Sequence, residues 1–163
     1  MILNGKYLLE AAPIKDMLTT KERVFGVSHG LGEAGYDIRI KQTIDFRVPD
    51  TMPARVTVDG KHVGQRFCIA SAIEEFDMPD YLVGIVHDKS TWARRGLSVF
   101  NTVIEPGWKG FLTLELVYHG SEPLLIPAGA GIAQVIFHHT VDNASYDGKY
   151  QNQADRPVEA ING

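Results

Sequence analysis

The chain has 163 residues, 44% apolar and 22% charged, the size and balance of one domain able to bury a core without disulfide or metal staples. Its net charge of −4 argues against non-specific nucleic-acid binding, which needs a basic footprint. One cysteine, Cys68, excludes an intramolecular disulfide and fits a cytoplasmic setting; no apolar run approaches the roughly 20 residues that span a bilayer, and Met1–Lys6 does not open a signal peptide.

Residues 3–19 carry a rough apolar stripe (Leu8, Leu9, Ile14, Leu18) that predicts one helix, with Pro13 interrupting it or starting a second turn. A glycine-rich stretch, Gly26 to Gly35, reads as a loop. From Tyr36 the texture changes to short β-prone runs between turn residues. They are 38–48, 54–58, 62–70, 81–87, 97–103, 111–118, 124–126 and 132–138. Many short strands at this spacing predict an all-β sandwich or closed barrel. Asp59-Gly60 marks a hairpin. Val103 to Gly110 reads as a second tight hairpin, and Pro127 to Ile132 as a third rather than a phosphate loop. The polar tail after Asp142 carries no pattern for structure of its own.

Four places bear chemistry. Glu115 lies in Phe111-Leu-Thr-Leu-Glu-Leu-Val-Tyr118, where alternation puts Phe111, Thr113, Glu115 and Val117 on one face. A carboxylate among apolar neighbours is costly unless neutralised, and such a site raises its pKa to suit proton shuttling. The same pattern also fits a solvent-facing Glu on a half-exposed sheet. Lys89-Ser-Thr-Trp-Ala-Arg-Arg-Gly96 brings hydroxyls and cations together after an apolar strand, as phosphate oxygens require; a helical turn there would put Ser90 and Arg94 on one face. A solvated basic turn over a buried Trp92 fits equally. Glu105 stands before a turn, where it could accept a sugar hydroxyl or simply be part of the turn. In the tail, Lys149 and Gln153 could close over a ligand. His138-His139 lacks evident ligand partners, and Cys68 reads as core. The Cys-x-x-Cys pair of the zinc nucleoside deaminases is absent.

Taken together, Ser90-Thr-Trp-Ala-Arg-Arg-Gly-Leu97, Ile104-Glu-Pro-Gly-Trp-Lys-Gly-Phe-Leu-Thr-Leu-Glu-Leu116 and Leu124-Leu-Ile-Pro-Ala-Gly-Ala-Gly-Ile-Ala-Gln134 resemble the dCTP deaminase branch of the dUTPase superfamily. Ala34-Gly-Tyr-Asp-Ile-Arg39 resembles that family's early strand motif, and Lys149-Tyr-Gln-Asn-Gln153 its nucleotide-closing segment. The resemblance spans residues 34–153 and implies a distorted jelly-roll β-barrel with a short N-terminal helix. It implies one domain over 1–163, a tail (142–163) closing over the nucleotide, and a homotrimer with sites between subunits.

It further implies hydrolytic deamination of dCTP to dUTP and ammonia, which supplies pyrimidine deoxynucleotides. Glu115 would be the general acid/base, with Ser90 and Arg94 placing the water, the base and the nearby phosphates. Lys89 and Thr91 would lie toward phosphate, and Glu105 beside the deoxyribose 3′-hydroxyl. Thr102, Val103, Ile104 and Trp108 would complete the pocket. Gln134, Tyr146, Lys149 and Gln153 would lie on the triphosphate side. Magnesium would enter on the triphosphate, with no zinc and no protein metal site; neither nucleic acid nor membrane is an implied partner. The chain is shorter than the family between Leu97 and Glu105, by about two residues of the hairpin that packs against the pyrimidine, and Glu105 stands where the family has Asp. A modified cytosine nucleotide or a monophosphate therefore stays open as substrate. So do a dUTP pyrophosphatase or bifunctional enzyme using Glu105, and a catalytically weak nucleotide-binding protein on the same scaffold.

Overall fold

The computed structural model describes residues Met1–Gly163. After β1 (Ile2–Leu3), α1 covers only Gly5–Ala11. The helix expected to reach residue 19 stops because Ala12 turns left-handed at φ 46°, and Pro13 behind it has no amide to continue the ladder. The glycine-rich stretch expected as a loop is instead half of a hairpin. β2 (Lys21–Val24) pairs with β3 (Val27–Leu31) across Phe25-Gly26, both at positive φ, the geometry of a tight primed turn.

The other strands are β4 (Tyr36–Arg39), β5 (Ile44–Arg47), β6 (Arg55–Val58), β7 (Lys61–Gly64), β8 (Phe67–Asp77) and β9 (Leu82–Asp88). After α2 (Ser90–Ala93) come β10 (Leu97–Val99), β11 (Val103–Ile104), β12 (Lys109–Tyr118), β13 (Leu124–Ile126) and β14 (Gly131–His139). The mainly β architecture matches the expectation. Asp59-Gly60 does close the β6–β7 hairpin, with Val58 opposite Lys61.

Three antiparallel sheets result. A seven-stranded sheet runs β11-β9-β14-β4-β3-β2, with β1 added on β14. A three-stranded sheet runs β10-β12-β8, and a four-stranded one β13-β5-β6-β7. One cluster of buried apolar side chains joins all three, including Ile38, Phe46, Phe76, Leu114, Leu116, Tyr118 and Phe137. Cys68 belongs to it, and burial pushes its thiol up to about 12.

Three runs expected as single strands are each two. Residues 38–48 divide into β4 and β5, 62–70 into β7 and the start of β8, and 97–103 into β10 and β11. In all three the chain passes from one sheet to another. The linking residues are few and no proline stands among them, so periodicity alone does not mark the crossings. Two expected hairpins are corrected for the same reason. Residues 103–110 hold a turn, closed by Trp108 N–H to the Glu105 carbonyl at 3.2 Å, but β11 pairs with β9 and β12 with β8 and β10. The turn at 127–130 likewise joins β13 and β14, which pair with β5 and with β4 and β9.

Candidate functional site

A cavity of about 510 Å³ opens where the chain leaves the three-stranded sheet at the end of β10 for the seven-stranded sheet at β11. One wall is β12, contributing Leu112, Thr113 and Glu115; Phe67 and Ile69 of β8 flank it. The crossing supplies Asn101 to Glu105, and the following turn supplies Trp108. The last wall is the tail, from Tyr146, Tyr150 and Gln153 to Val158, Glu159 and Ala160.

Glu115 sits on this wall half-buried. Its surroundings explain its chemistry. Burial drives its carboxyl above the ordinary glutamate range, against a smaller lowering pull from a backbone hydrogen bond. Among the cavity residues the other carboxylates are Glu105 and Glu159, and no Lys, Arg or His lines it. A water-accessible pocket with apolar walls and a proton-hungry carboxyl suits proton transfer to and from a flat, uncharged ring. With three carboxylates and no cation, these walls alone do not suit a triphosphate.

Of the residues singled out in the sequence, Thr102, Val103, Ile104, Glu105, Trp108, Glu115, Tyr146 and Gln153 line this cavity. Lys89, Ser90, Thr91, Arg94, Gln134 and Lys149 do not. The helical turn expected at 90–94 forms, with the Arg94 amide on the Ser90 carbonyl at 3.1 Å. Trp92 anchors it by turning inward and donating Nε1–H to the Gly131 carbonyl at 2.6 Å. Ser90, Thr91 and Arg94 face solvent. Lys89 does not extend toward open space: its ammonium is buried against Asp37 Oδ2 at 2.5 Å and Ser28 Oγ at 2.9 Å. Lys149 bonds the Ile161 carbonyl on the outside of the tail.

The tail departs most from expectation. It forms no helix or strand, yet it is held throughout by the turn after Glu105. Tyr146 N–H bonds the Pro106 carbonyl at 2.8 Å, Trp108 Nε1–H the Tyr150 carbonyl at 2.7 Å, and Phe111 N–H the Gln153 carbonyl at 3.1 Å. Gln151 reaches back from the other side, donating to the Gly107 and Tyr146 carbonyls and accepting from Lys109 N–H. Gly110, at φ +127°, makes this possible: a Cβ there would stand 2.4 Å from the Gln153 nitrogen. Further on, Val158 N–H caps the Thr113 hydroxyl at 3.1 Å, which brings Glu159 to the cavity. Glycines at 107 and 110 with Trp108 between them were a readable signal for close backbone approach.

Asn101 was not singled out in the sequence. Its amide donates to the Thr113 carbonyl at 2.8 Å and its Oδ1 accepts from Glu115 N–H at 3.3 Å.

A family model described as dCTP deaminase-like matches residues 8–140. The dCTP deaminase of Campylobacter concisus (strain 13826) is 36% identical over 148 residues, covering 78% of this chain and 78% of that protein. The dCTP deaminase of Roseiflexus castenholzii (strain DSM 13941 / HLO8) is also 36% identical over 148 residues, covering 78% and 79%. Among solved structures, native EIAV dUTPase superposes with a TM-score of 0.52 at 19% identity, over 85% of this chain and 92% of that one. The 2′-deoxycytidine 5′-triphosphate deaminase from Agrobacterium tumefaciens superposes with a TM-score of 0.56 at 17% identity, over 85% of this chain and 48% of that one. At such identities the two structures speak for a shared fold alone.

Proposed function

This chain belongs to the dCTP deaminase-like family, and from that premise we propose that it hydrolyses the C4 amine of dCTP to give dUTP and ammonia, with Glu115 moving the protons. The observation that carries this reading is Glu115 itself: a half-buried carboxyl, its pKa raised by burial, on the wall of the cavity. In its ionised form it takes a proton from water. The hydroxide adds to C4, and the carboxyl returns the proton to N3. It then carries the remaining hydroxyl proton to the amine; the C4–N bond breaks and ammonia leaves the uracil. A carboxyl with an ordinary pKa would be too weak a base to deprotonate water and too rarely protonated near neutrality to return the proton.

The substrate's negative charge requires cations that the cavity walls lack. We assign them to a second copy of the chain in a homotrimer. Ser90 and Arg94 stand on a solvent-facing helical turn away from the cavity, so docking that turn against a neighbour's cavity would bring a hydroxyl and a guanidinium to the water, base and phosphates. Gln134 and Thr91 would come with it. Lys89, already paired with Asp37, would act there by holding the start of α2. Glu105, Tyr146 and Gln153 line the cavity and would take up sugar and phosphate from within the chain. No three His, Cys, Asp or Glu side chains converge to cage a metal, so magnesium would arrive coordinated by the triphosphate's own oxygens. No helix is long and apolar enough to cross a membrane.

Incubation with dCTP and magnesium, reading ammonia and pyrophosphate separately, tests the proposal. Ammonia alone supports a monofunctional deaminase. Glu105 lines the same cavity as Glu115 and gives one specific ground for a second reading, in which a carboxylate also directs water at the α-phosphate; pyrophosphate beside ammonia would establish it. Nucleotide binding with neither product would overturn both in favour of a binding protein.

A further inference from the structure

We propose that Asn101 is a positioning residue for Glu115, its side-chain amide taking the place of strand backbone that the short crossing between sheets leaves out. The inference rests on the deaminase reading for its catalytic consequence, but the geometry behind it is independent of that reading. β10 pairs with β12 in strict antiparallel register: Leu97 faces Tyr118, Ser98 faces Val117 and Val99 faces Leu116. The register continues for one more bond, Phe100 N–H to the Glu115 carbonyl at 2.7 Å. Residue 101 would next stand opposite Leu114. In a continued ladder, the flanking backbone groups of residues 100 and 102 would bond Glu115 N–H and the Thr113 carbonyl. The chain cannot supply them, because at Phe100–Thr102 it turns away to join β11 in the other sheet.

The Asn101 side chain supplies both. Its amide N–H reaches the Thr113 carbonyl at 2.8 Å, and its Oδ1 takes Glu115 N–H at 3.3 Å. One side chain thus satisfies a donor and an acceptor that the crossing would leave orphaned at a cavity wall. Asn101 lines the same cavity as Glu115, so removing its side chain would leave these two backbone groups to water. Asparagine fits this task because its amide presents a donor and an acceptor in the same plane as a peptide group; aspartate keeps the acceptor and loses the donor.

The titratable groups that share the cavity with Glu115 are Glu105 at the end of the crossing and Tyr146, Tyr150 and Glu159 from the tail; β8 contributes none. The sign of each substitution therefore follows from Asn101. In Asn101→Ala the wall opens, water reaches Glu115, and its titration midpoint falls. In Asn101→Asp a negative charge joins it, and the midpoint rises. The two variants move the same group in opposite directions, which loss of packing alone does not do.

The test is a carboxyl-carbon NMR titration of Glu115 in the wild-type protein, Asn101→Ala and Asn101→Asp, run beside the pH profile of kcat on dCTP. Support is a lower midpoint in Asn101→Ala and a higher one in Asn101→Asp. The acid limb of kcat should follow each, with kcat at its plateau reduced about 10- to 100-fold in Asn101→Ala and KM changed less. Unchanged midpoints, or midpoints moving the same way in both variants, overturn the proposal. If Asn101→Ala does not fold, Asn101→Ser stands in for it with the same expected direction. If the wild-type protein releases no ammonia, the function reading fails while the NMR midpoints still decide the role of Asn101.

Discussion

Replacing Glu115 by Gln should separate catalysis from folding in opposite directions. Glutamine keeps the shape of the side chain but can neither accept nor return a proton. General acid–base catalysis contributes roughly 10²- to 10⁴-fold, or about 2.7–5.4 kcal/mol of barrier, so dCTP turnover should fall by that factor while nucleotide affinity is kept. Stability should respond the other way. The folded-state carboxyl titrates above its ordinary value because burial disfavours its charge. The folded protein therefore holds this proton more tightly than the unfolded chain. Its stabilising effect is present below the unfolded pKa and is lost as pH rises through the folded one. At pH 8 the wild-type protein carries a half-buried charge that Glu115→Gln lacks; at pH 4 both are neutral. The variant should thus melt at or above the wild-type temperature at pH 8, and the advantage should vanish at pH 4. Ammonia release and thermal melts at the two pH values read both effects. Near-normal turnover in the variant would remove the proposed mechanism. A lower melting temperature at pH 8 than at pH 4, relative to wild type, would refute the electrostatic reasoning.

Gly110→Ala should dislodge the tail. Its new Cβ would meet the Gln153 backbone at a strained positive φ, costing about 1–3 kcal/mol, and limited proteolysis should then cut within 145–163 where the wild-type protein resists. Deleting residues 157–163 removes Glu159 from the cavity wall and frees Lys149 from the Ile161 carbonyl. The docked segment before it remains, so the protein should keep its melting temperature and bind dCTP more tightly by calorimetry, and weaker binding would count against a repulsive role for Glu159. Equal amounts of Glu115→Gln and Arg94→Ala chains, mixed through unfolding and refolding, should regain about one quarter of wild-type activity if each site takes one residue from each of two subunits. A mixture no more active than its separate components would place the site within one chain.

The alternation of 111–118 was legible because a strand with one buried face must repeat every second residue. Leu114, Leu116 and Tyr118 are core, as that pattern requires. Glu115 stood out by the same rule, as the one charge in the run, although only the cavity distinguishes a sheltered carboxyl from a solvated one. The helical turn at 90–94 was readable too, from Trp92 as an apolar anchor between polar residues. Sheet membership was not. At 40–43 and 100–102 the chain changes sheets with no proline or glycine to mark it, and the bonds that do mark the first change are to distant residues: Ile40 N–H to Ala130, Lys41 N–H to Ser71. Asn101 was invisible for that reason, since its partners are defined by the crossing. The tail misled through composition. Polar residues signal solvent when they have no local partner, but here Gln151 finds three backbone partners 5 to 44 residues away.

The sheet crossing accounts for the cavity and also for its charge. A strand that stops pairing early leaves a gap beside its neighbour, and here that gap is beside β12 at Glu115. Backbone exposed in such a gap must be satisfied, which Asn101 does on one side and the Val158 amide on the Thr113 hydroxyl helps to do on the other. The side chains around the remaining space are apolar, neutral polar or acidic, with no cation among them; a cation of the same chain beside Glu115 would lower the very pKa that burial raises. In the proposed reaction, proton transfer and phosphate binding would make opposing demands on one wall. A chain that keeps its cations on a separate helical turn meets both, provided the two surfaces meet only when chains associate. On the proposed reading, the solvent-facing turn with Ser90 and Arg94 would bring to the substrate's phosphates the positive charge that the cavity walls lack.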